Sequence, residues 1–195
     1  MSSNHSGISV IKPWGLTNFE NLPSFRFFPF SCRYCAYWEC LDFEDKITKE
    51  NGYQIKQKWL SFIRKEFGNC GFIAYLNEKP VGFAQYGPMS YFPRLSEYHD
   101  FTPSSEAIFL SCLYIPAKQL RRQGIGKQLL EGVISDLQNR GYRLIETLVR
   151  IHNTPSHNPS DWLIRPLEFF VKMNFKVIKQ KGEIAHLRKT EKSNP

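Results

Sequence analysis

A mixed α/β domain follows from three features of this chain. Residues 71–86 read as an antiparallel hairpin, residues 107–151 as a strand, glycine loop, helix and strand, and residues 53–67 as an amphipathic helix that precedes both. With 195 residues, 42% of them hydrophobic, the chain is suited to one domain with a substantial core. Aromatic residues make up 15% of it, which argues against disorder outside the polar ends, residues 1–7 and 190–195.

The elements can be taken in order. Ile8–Ile11 is a short β-branched run that suits a first strand. Residues 17–40 are rich in aromatics and turn formers, and Pro23 and Pro29 limit any regular element there. In Tyr53–Phe67, Ile55, Trp59, Phe62 and Ile63 recur at helical spacing with Lys56, Lys58, Arg64 and Lys65 between them, and Gly68-Asn69 supplies a stop. Gly71–Leu76 and Pro80–Tyr86 are β-rich runs separated by Asn77-Glu78-Lys79, a hairpin signal. Tyr91–Ser105 carries two prolines and little apolar periodicity, so a loop is expected. Ala107–Ile115 is an almost continuous apolar run suited to a buried strand, closed by Pro116. Gly126–Arg140 places Leu129, Leu130, Val133, Ile134 and Leu137 on one helical stripe, Gly141 stops it, and Arg143–Ile151 returns as a strand. Pro166–Met173 is a short helix with proline in its first turn, and Phe175–Lys179 a late strand.

The formal charge of +8 is not evenly spread. Residues 1–50 carry five basic and six acidic residues (5 − 6 = −1), residues 117–150 seven and three (7 − 3 = +4), and residues 165–195 eight and three (8 − 3 = +5). A basic second half suits either nucleic acid or an anionic phosphorylated cofactor, and no helix-turn-helix, RNA-binding or zinc-finger pattern favours the former. No apolar run approaches the ~20 residues of a membrane span, and the first residues lack a secretory pattern. A cytoplasmic location is expected, with five cysteines (32, 35, 40, 70 and 112) kept reduced.

Between the buried strand and the helix lies Arg121-Arg122-Gln123-Gly124-Ile125-Gly126-Lys127. Its glycines permit positive φ and close backbone approach, and the first-turn amides of the helix lack intrahelical acceptors. With the helix dipole and three cationic side chains, this is an anion site aimed at phosphate. A dinucleotide fingerprint would need glycine at 129, which is Leu129, and a P-loop would need Ser or Thr at 128, which is Gln128.

The spacing Arg121, Gly124, Gly126, after a strand and opening a helix, resembles the GNAT superfamily of acetyl-CoA-dependent N-acetyltransferases. Pro116 fits the proline that follows that strand, and Leu167–Phe175 is similar to the family's aromatic helix ending in Gly-Phe, with Asn174 in place of glycine. The likeness covers Tyr53 to Lys189, with a cofactor-binding core over residues 107–180. It implies a mixed central sheet in which Ile108–Ile115 splays from Arg143–Ile151. The backbone of Leu113, Tyr114 and Ile115 would hold the pantetheine arm of acetyl-CoA, and the amides of Arg122, Gln123, Gly124, Ile125, Gly126 and Lys127 its pyrophosphate, with Arg121 alongside. The acceptor amine would attack the thioester directly in a ternary complex. The family's strand glutamate has no counterpart within Ile108–Ile115; Glu106 is the nearest candidate base, its competing reading a solvated strand-end carboxylate. The tyrosine that protonates the leaving thiolate is replaced by Phe170, which leaves Tyr114 as the candidate acid and Phe170 as a cofactor-lining residue. Cys112 alternates with Tyr114 on the same face, without a histidine nearby in sequence to activate it.

Cys32-x-x-Cys35-x-x-x-x-Cys40 has one metal-like pair and lacks a local fourth ligand, so packing without a metal is the favoured expectation. Tyr34, Tyr37, Trp38 and Glu39, in residues 1–50, would then line the pocket for a small-molecule or peptide amine. His152, His157 and Asn158 belong to an expected loop before the last helix. Neither nucleic acid nor membrane is expected as a partner. Homodimerisation is common in similar proteins, and a non-catalytic acyl-CoA sensor is the alternative from another functional class.

Overall fold

The computed structural model describes residues 10–23, 31–41, 48–101, 104–151 and 167–191. A seven-stranded mixed sheet forms its centre: β1 (Val10–Pro13), β2 (Gly71–Leu76), β3 (Lys79–Pro88), β4 (Ile108–Tyr114), β5 (Leu144–Arg150), β6 (Lys176–Lys181) and β7 (Ile184–Thr190), in the spatial order β1-β2-β3-β4-β5-β7-β6. Every neighbouring pair is antiparallel except β4–β5. Three helices are described: α1 (Lys49–Glu66), α2 (Ile125–Asn139) and α3 (Leu167–Lys172). Among the described residues, no helix is long and apolar enough to cross a membrane.

Helix α1 starts at a reciprocal cap. Thr48 Oγ1 accepts from the amide of Asn51, whose Oδ1 accepts from the amide of Thr48. Its buried stripe is Lys56, Leu60, Ile63 and Phe67, and this corrects the expected one: Phe62 is 60% exposed, and Lys56, expected between the apolar positions, is 4% exposed. Spacing of four, three and four residues does put 56, 60, 63 and 67 on one helical face; the charge of Lys56 concealed it.

The β2–β3 hairpin closes through Asn77 and Glu78, both at positive φ (49° and 62°), the conformation that matches the twist of two-residue hairpin turns. Lys79 belongs to β3. Two short 3-10 turns, Met89–Tyr91 and Pro93–Glu97, run into the expected loop. Leu129, Leu130, Val133 and Leu137 bury α2 against the sheet, and Ile134 is only partly covered. Strand β7 was not anticipated: Thr190, expected in a frayed tail, pairs with Leu144. The expected first strand begins outside the described residues, as does Pro166, and its described part runs on to Pro13.

Alternation on β3 separates the two faces of the sheet. Gly82 meets Leu129 and Ile125 of α2, and the Tyr86 hydroxyl donates to Asp136 Oδ2 (2.7 Å), so those positions face α2. Phe83 packs edge-on against Trp14, and Gly87 lies against Ile63, so those positions face α1.

Two polar anchors fix the ends of this arrangement. Arg140, just past α2, donates to the carbonyls of Phe67 and, at 2.8 Å, Asn69, which closes the C-terminal end of α1, and it pairs with Asp136 at 2.9 Å. On β5, the buried Glu146 accepts from Arg188 Nε (2.7 Å) and the Ser104 amide (3.0 Å) and lies 2.9 Å from His186 Nε2. Burial pushes the Glu146 carboxyl up, but the bonds from His186 and Arg188 outweigh it and hold the group below its ordinary value.

Two stability measurements check these anchors. Arg140→Met is expected to lose about 1–3 kcal/mol in chemical denaturation, because buried carbonyls lose their donors. For Glu146→Gln, the deficit against the wild type is expected in full above the unfolded-state carboxyl value of about 4.3. It should shrink as pH falls through the depressed folded value, because the wild-type carboxylate is then protonated.

Candidate active site

Strands β4 and β5 pair only at Ile108–Ile145 and Phe109–Glu146. One residue further, the Thr147 hydroxyl donates to the Leu110 carbonyl (2.8 Å), and beyond it β4 has β3 as its partner. The register of β3 against β4 shifts between Gln85 and Tyr86, which pair with Cys112 and Leu110, so Ser111 is the extra residue of a bulge. Its hydroxyl donates to the Gln85 carbonyl (3.1 Å). The bulge bends β4 where it leaves β5, and a V-shaped cleft opens there, with Cys112, Leu113, Tyr114 and Ile115 all half-buried along one wall.

The glycine loop sits at the end of that wall. Arg122 (φ 64°) and Gly124 (φ 85°) turn the chain through left-handed backbone, and α2 begins at Ile125. Gln128 donates to the Gly124 carbonyl, but no side chain caps the helix and its first turn holds no acidic residue. A Cβ at Gly124 would meet nothing within 4 Å. At Gly126, Ile115 and Phe169 form a floor 3.5–3.7 Å from where a Cβ would stand. The amides at the start of α2 therefore face an open, positively biased cradle, which fits a pyrophosphate. Arg121 folds back, donating from Nε to the Ile115 carbonyl (2.9 Å) and standing 5.9 Å from the Tyr114 ring centroid. Lys127 is exposed and lies 3.7 Å from Glu131.

Tyr114 pairs with Phe83 and so faces the α1 side of the cleft. Burial pushes its phenol up to about 12, against the opposing effect of Arg121, so it holds its proton at neutral pH. Two expected site residues are placed elsewhere. Glu106 is exposed before the start of β4, roughly 26 Å of extended chain from Tyr114 and at the wrong end of the strand. Phe170 is fully buried, edge-on to Phe169 and Phe175, and presents no surface to the cleft; Phe169 is the ring beside Gly126.

Residues 31–41 lie on the α1 side of the sheet. Arg94 clamps them: its guanidinium donates to the Cys40 (3.1 Å) and Leu41 carbonyls and lies over the Tyr37 ring (4.3 Å). Tyr37 and Trp38, expected to line a pocket, are buried. The Tyr37 hydroxyl is 2.6 Å from that of Tyr98, and Trp38 packs on Phe109. Tyr34 lies apart, next to Tyr53. Glu39 reaches the centre: Oε1 accepts from Lys56 Nζ (2.6 Å) and Gln85 Nε2 (2.5 Å), and Lys56 also donates to Gln85 Oε1 (2.6 Å). Burial pulls the Lys56 ammonium down, and Glu39 more than offsets this, which leaves it above its ordinary value. Lys56 and Gln85 were missed in sequence, although Gln85 is a polar residue inside a β-rich run.

Three of the thiols are poor nucleophiles here. Burial pushes Cys32 well up, Cys35 to about 11 and Cys70 to about 12. Among the described residues, no three His, Cys, Asp or Glu side chains converge as a metal site. His152, His157 and Asn158 lie outside the described residues.

The sequence profile of the acetyltransferase (GNAT) family matches residues 33–158. No curated protein matches the chain in sequence. Similar solved structures include an N-acetyltransferase from Staphylococcus aureus Mu50 (16% identity, TM-score 0.57, covering 94% of this chain and 98% of that one). The PaiA N-acetyltransferase of Thermoplasma acidophilum in complex with coenzyme A is 15% identical, with a TM-score of 0.54 and coverage of 94% and 99%. The ribosomal-protein-alanine N-acetyltransferase of Brucella melitensis is 19% identical, with a TM-score of 0.54 and coverage of 93% and 99%. At these identities the likeness is one of fold, and the family assignment rests on the profile match together with the splayed strands and the glycine loop: this chain belongs to the GNAT acetyltransferase family.

Proposed function

We propose that the chain is an N-acetyltransferase, moving the acetyl group of acetyl-CoA to a primary amine by direct attack in a ternary complex. The observation that carries this reading is the parting of β4 from β5 beside the uncapped start of α2. Such a cleft offers free strand backbone and free helix amides at adjacent positions, which suits a ligand with an amide-containing arm and a pyrophosphate.

The backbone of Leu113, Tyr114 and Ile115 would hold the pantetheine arm. The amides of Arg122, Gln123, Gly124, Ile125, Gly126 and Lys127 would hold the pyrophosphate, with Arg121, Arg122 and Lys127 adding positive field. Bound acetyl-CoA supplies an activated acyl group on a thiol leaving group. Tyr114 keeps its proton at neutral pH and can give it to a departing thiolate, the role for which Phe170 has no proton. The acceptor would approach from the α1 side, where residues 31–41 lie across β3 and β4. Among known folds of this kind, the Brucella protein is named for an alanine amine of a ribosomal protein, which makes a peptide N-terminus a reasonable first acceptor to test beside polyamines and amino acids.

Thermal unfolding with and without acetyl-CoA tests the cofactor assignment. At a hundredfold excess over Kd, the native state should gain about 2.7 kcal/mol, and no shift at saturation would defeat the reading. Gly126→Asp should keep the fold, because an acidic side chain suits a helix start and the neighbouring contacts are ordinary. The same carboxylate should abolish the acetyl-CoA shift. Thiol release across a panel of primary amines then separates an enzyme from a sensor that binds without turnover.

A further inference from the structure

We propose that Glu39 is the general base of this site, and that Lys56 and Gln85 are its positioning residues; this rests on the acetyltransferase reading above. The family's reaction needs a group that takes a proton from the attacking nitrogen. Strand β4 contains no carboxylate, and Glu106 is at its far end. The structure brings a carboxylate to the bulge by another route, from the segment over the sheet.

Gln85 is the register partner of Cys112, the first residue after the bulge, and Glu39 is bonded to Gln85. Glu39 therefore stands on the α1 side of the point where the strands part, the side that Tyr114 faces. Its two oxygens differ. Oε1 takes both bonds, from Lys56 and Gln85, while Oε2 is buried without a hydrogen-bond partner, in a side chain only 1% exposed. A buried carboxylate oxygen left without a donor is costly, so Oε2 has room for one more donor. An amine at the head of the cleft would supply it.

The surroundings hold the carboxylate in one orientation. Lys56 stands beside two stacked indoles, 5.7 Å from the Trp14 ring centroid and 5.4 Å from that of Trp59, which helps hold the cation. The titratable groups facing the pair are Cys112 from β4, Cys32 and Cys35 from the segment of Glu39 and Cys70 just before β2, and the last three are held as neutral thiols. Glu39 Oε2 takes the proton that the acceptor nitrogen sheds as its bond to the acyl carbon forms. The electron pair of the breaking carbon–sulfur bond leaves on the thiolate, which can take a proton from Tyr114.

The test compares the full chain with Glu39→Gln and Glu39→Asp, read by thiol release with the best amine from the panel, and by thermal shift with acetyl-CoA. Glu39→Gln should keep the acetyl-CoA shift and lower kcat about 100-fold or more, and Glu39→Asp should recover part of that loss. Lys56→Met should lower kcat while keeping the amine KM and the acetyl-CoA shift, because the carboxylate loses one of the two donors that orient it. An active wild type with Glu39→Gln equally active overturns the proposal alone. A Glu39 pair of variants that both lose the acetyl-CoA shift makes the residue a structural strut and also overturns it. A wild type that binds acetyl-CoA and acetylates no amine defeats the acetyltransferase reading itself, and the proposal with it.

Discussion

Strand β4 has two edges of backbone to satisfy and, for most of its length, one neighbouring strand. β3 covers one edge as far as Tyr114, while β5 meets the other only at Ile108 and Phe109. Buried amides and carbonyls must find partners, so a strand that abandons its neighbour needs substitutes. One hydroxyl serves at the fork, Thr147 toward the Leu110 carbonyl, while on the β3 edge Ser111 bonds the Gln85 carbonyl at the bulge. Past that point the open edge belongs to the cleft. The glycine loop follows directly from the same strand, so the fork and the anion cradle are fixed relative to each other by a few residues of chain.

The ion pair under the fork is hard to explain by stability. Desolvating an ammonium and a carboxylate costs several kcal/mol each, and replacing such a pair by apolar residues of similar volume is often neutral or stabilising. Here the pair also leaves one oxygen without a donor. An apolar stripe on α1 with a leucine at 56 would pack the same sheet more cheaply. Retention of charge at this position makes sense as a feature of the site rather than of the core.

Much of the fold could be read from sequence because its signals are local. The hairpin turn at Asn77-Glu78, the buried run of β4, the stripe of α2 and the glycine loop each announce themselves within about fifteen residues. What could not be read depends on distant partners. Strand β7 alternates weakly and gains its identity by inserting between β5 and β6. The burial of Lys56 depends on Glu39, Gln85, Trp14 and Trp59, brought together from four parts of the chain. Phe170 and Glu106 were assigned by motif position, and side-chain direction and strand polarity decided against both.

Arg140 gives the two sides of the molecule a common mechanical reference. Helix α2 opens at the glycine loop, and the guanidinium just past its other end holds the Phe67 and Asn69 carbonyls that follow α1, the helix that carries Lys56. The glycine loop and the end of α1 are thus joined by one helix and one side chain, about 22 Å along the α2 axis. Because coupling between two binding events is reciprocal, any free energy that a ligand at the glycine loop passes along this path to Lys56 would be returned in equal measure by a ligand bound beside Lys56.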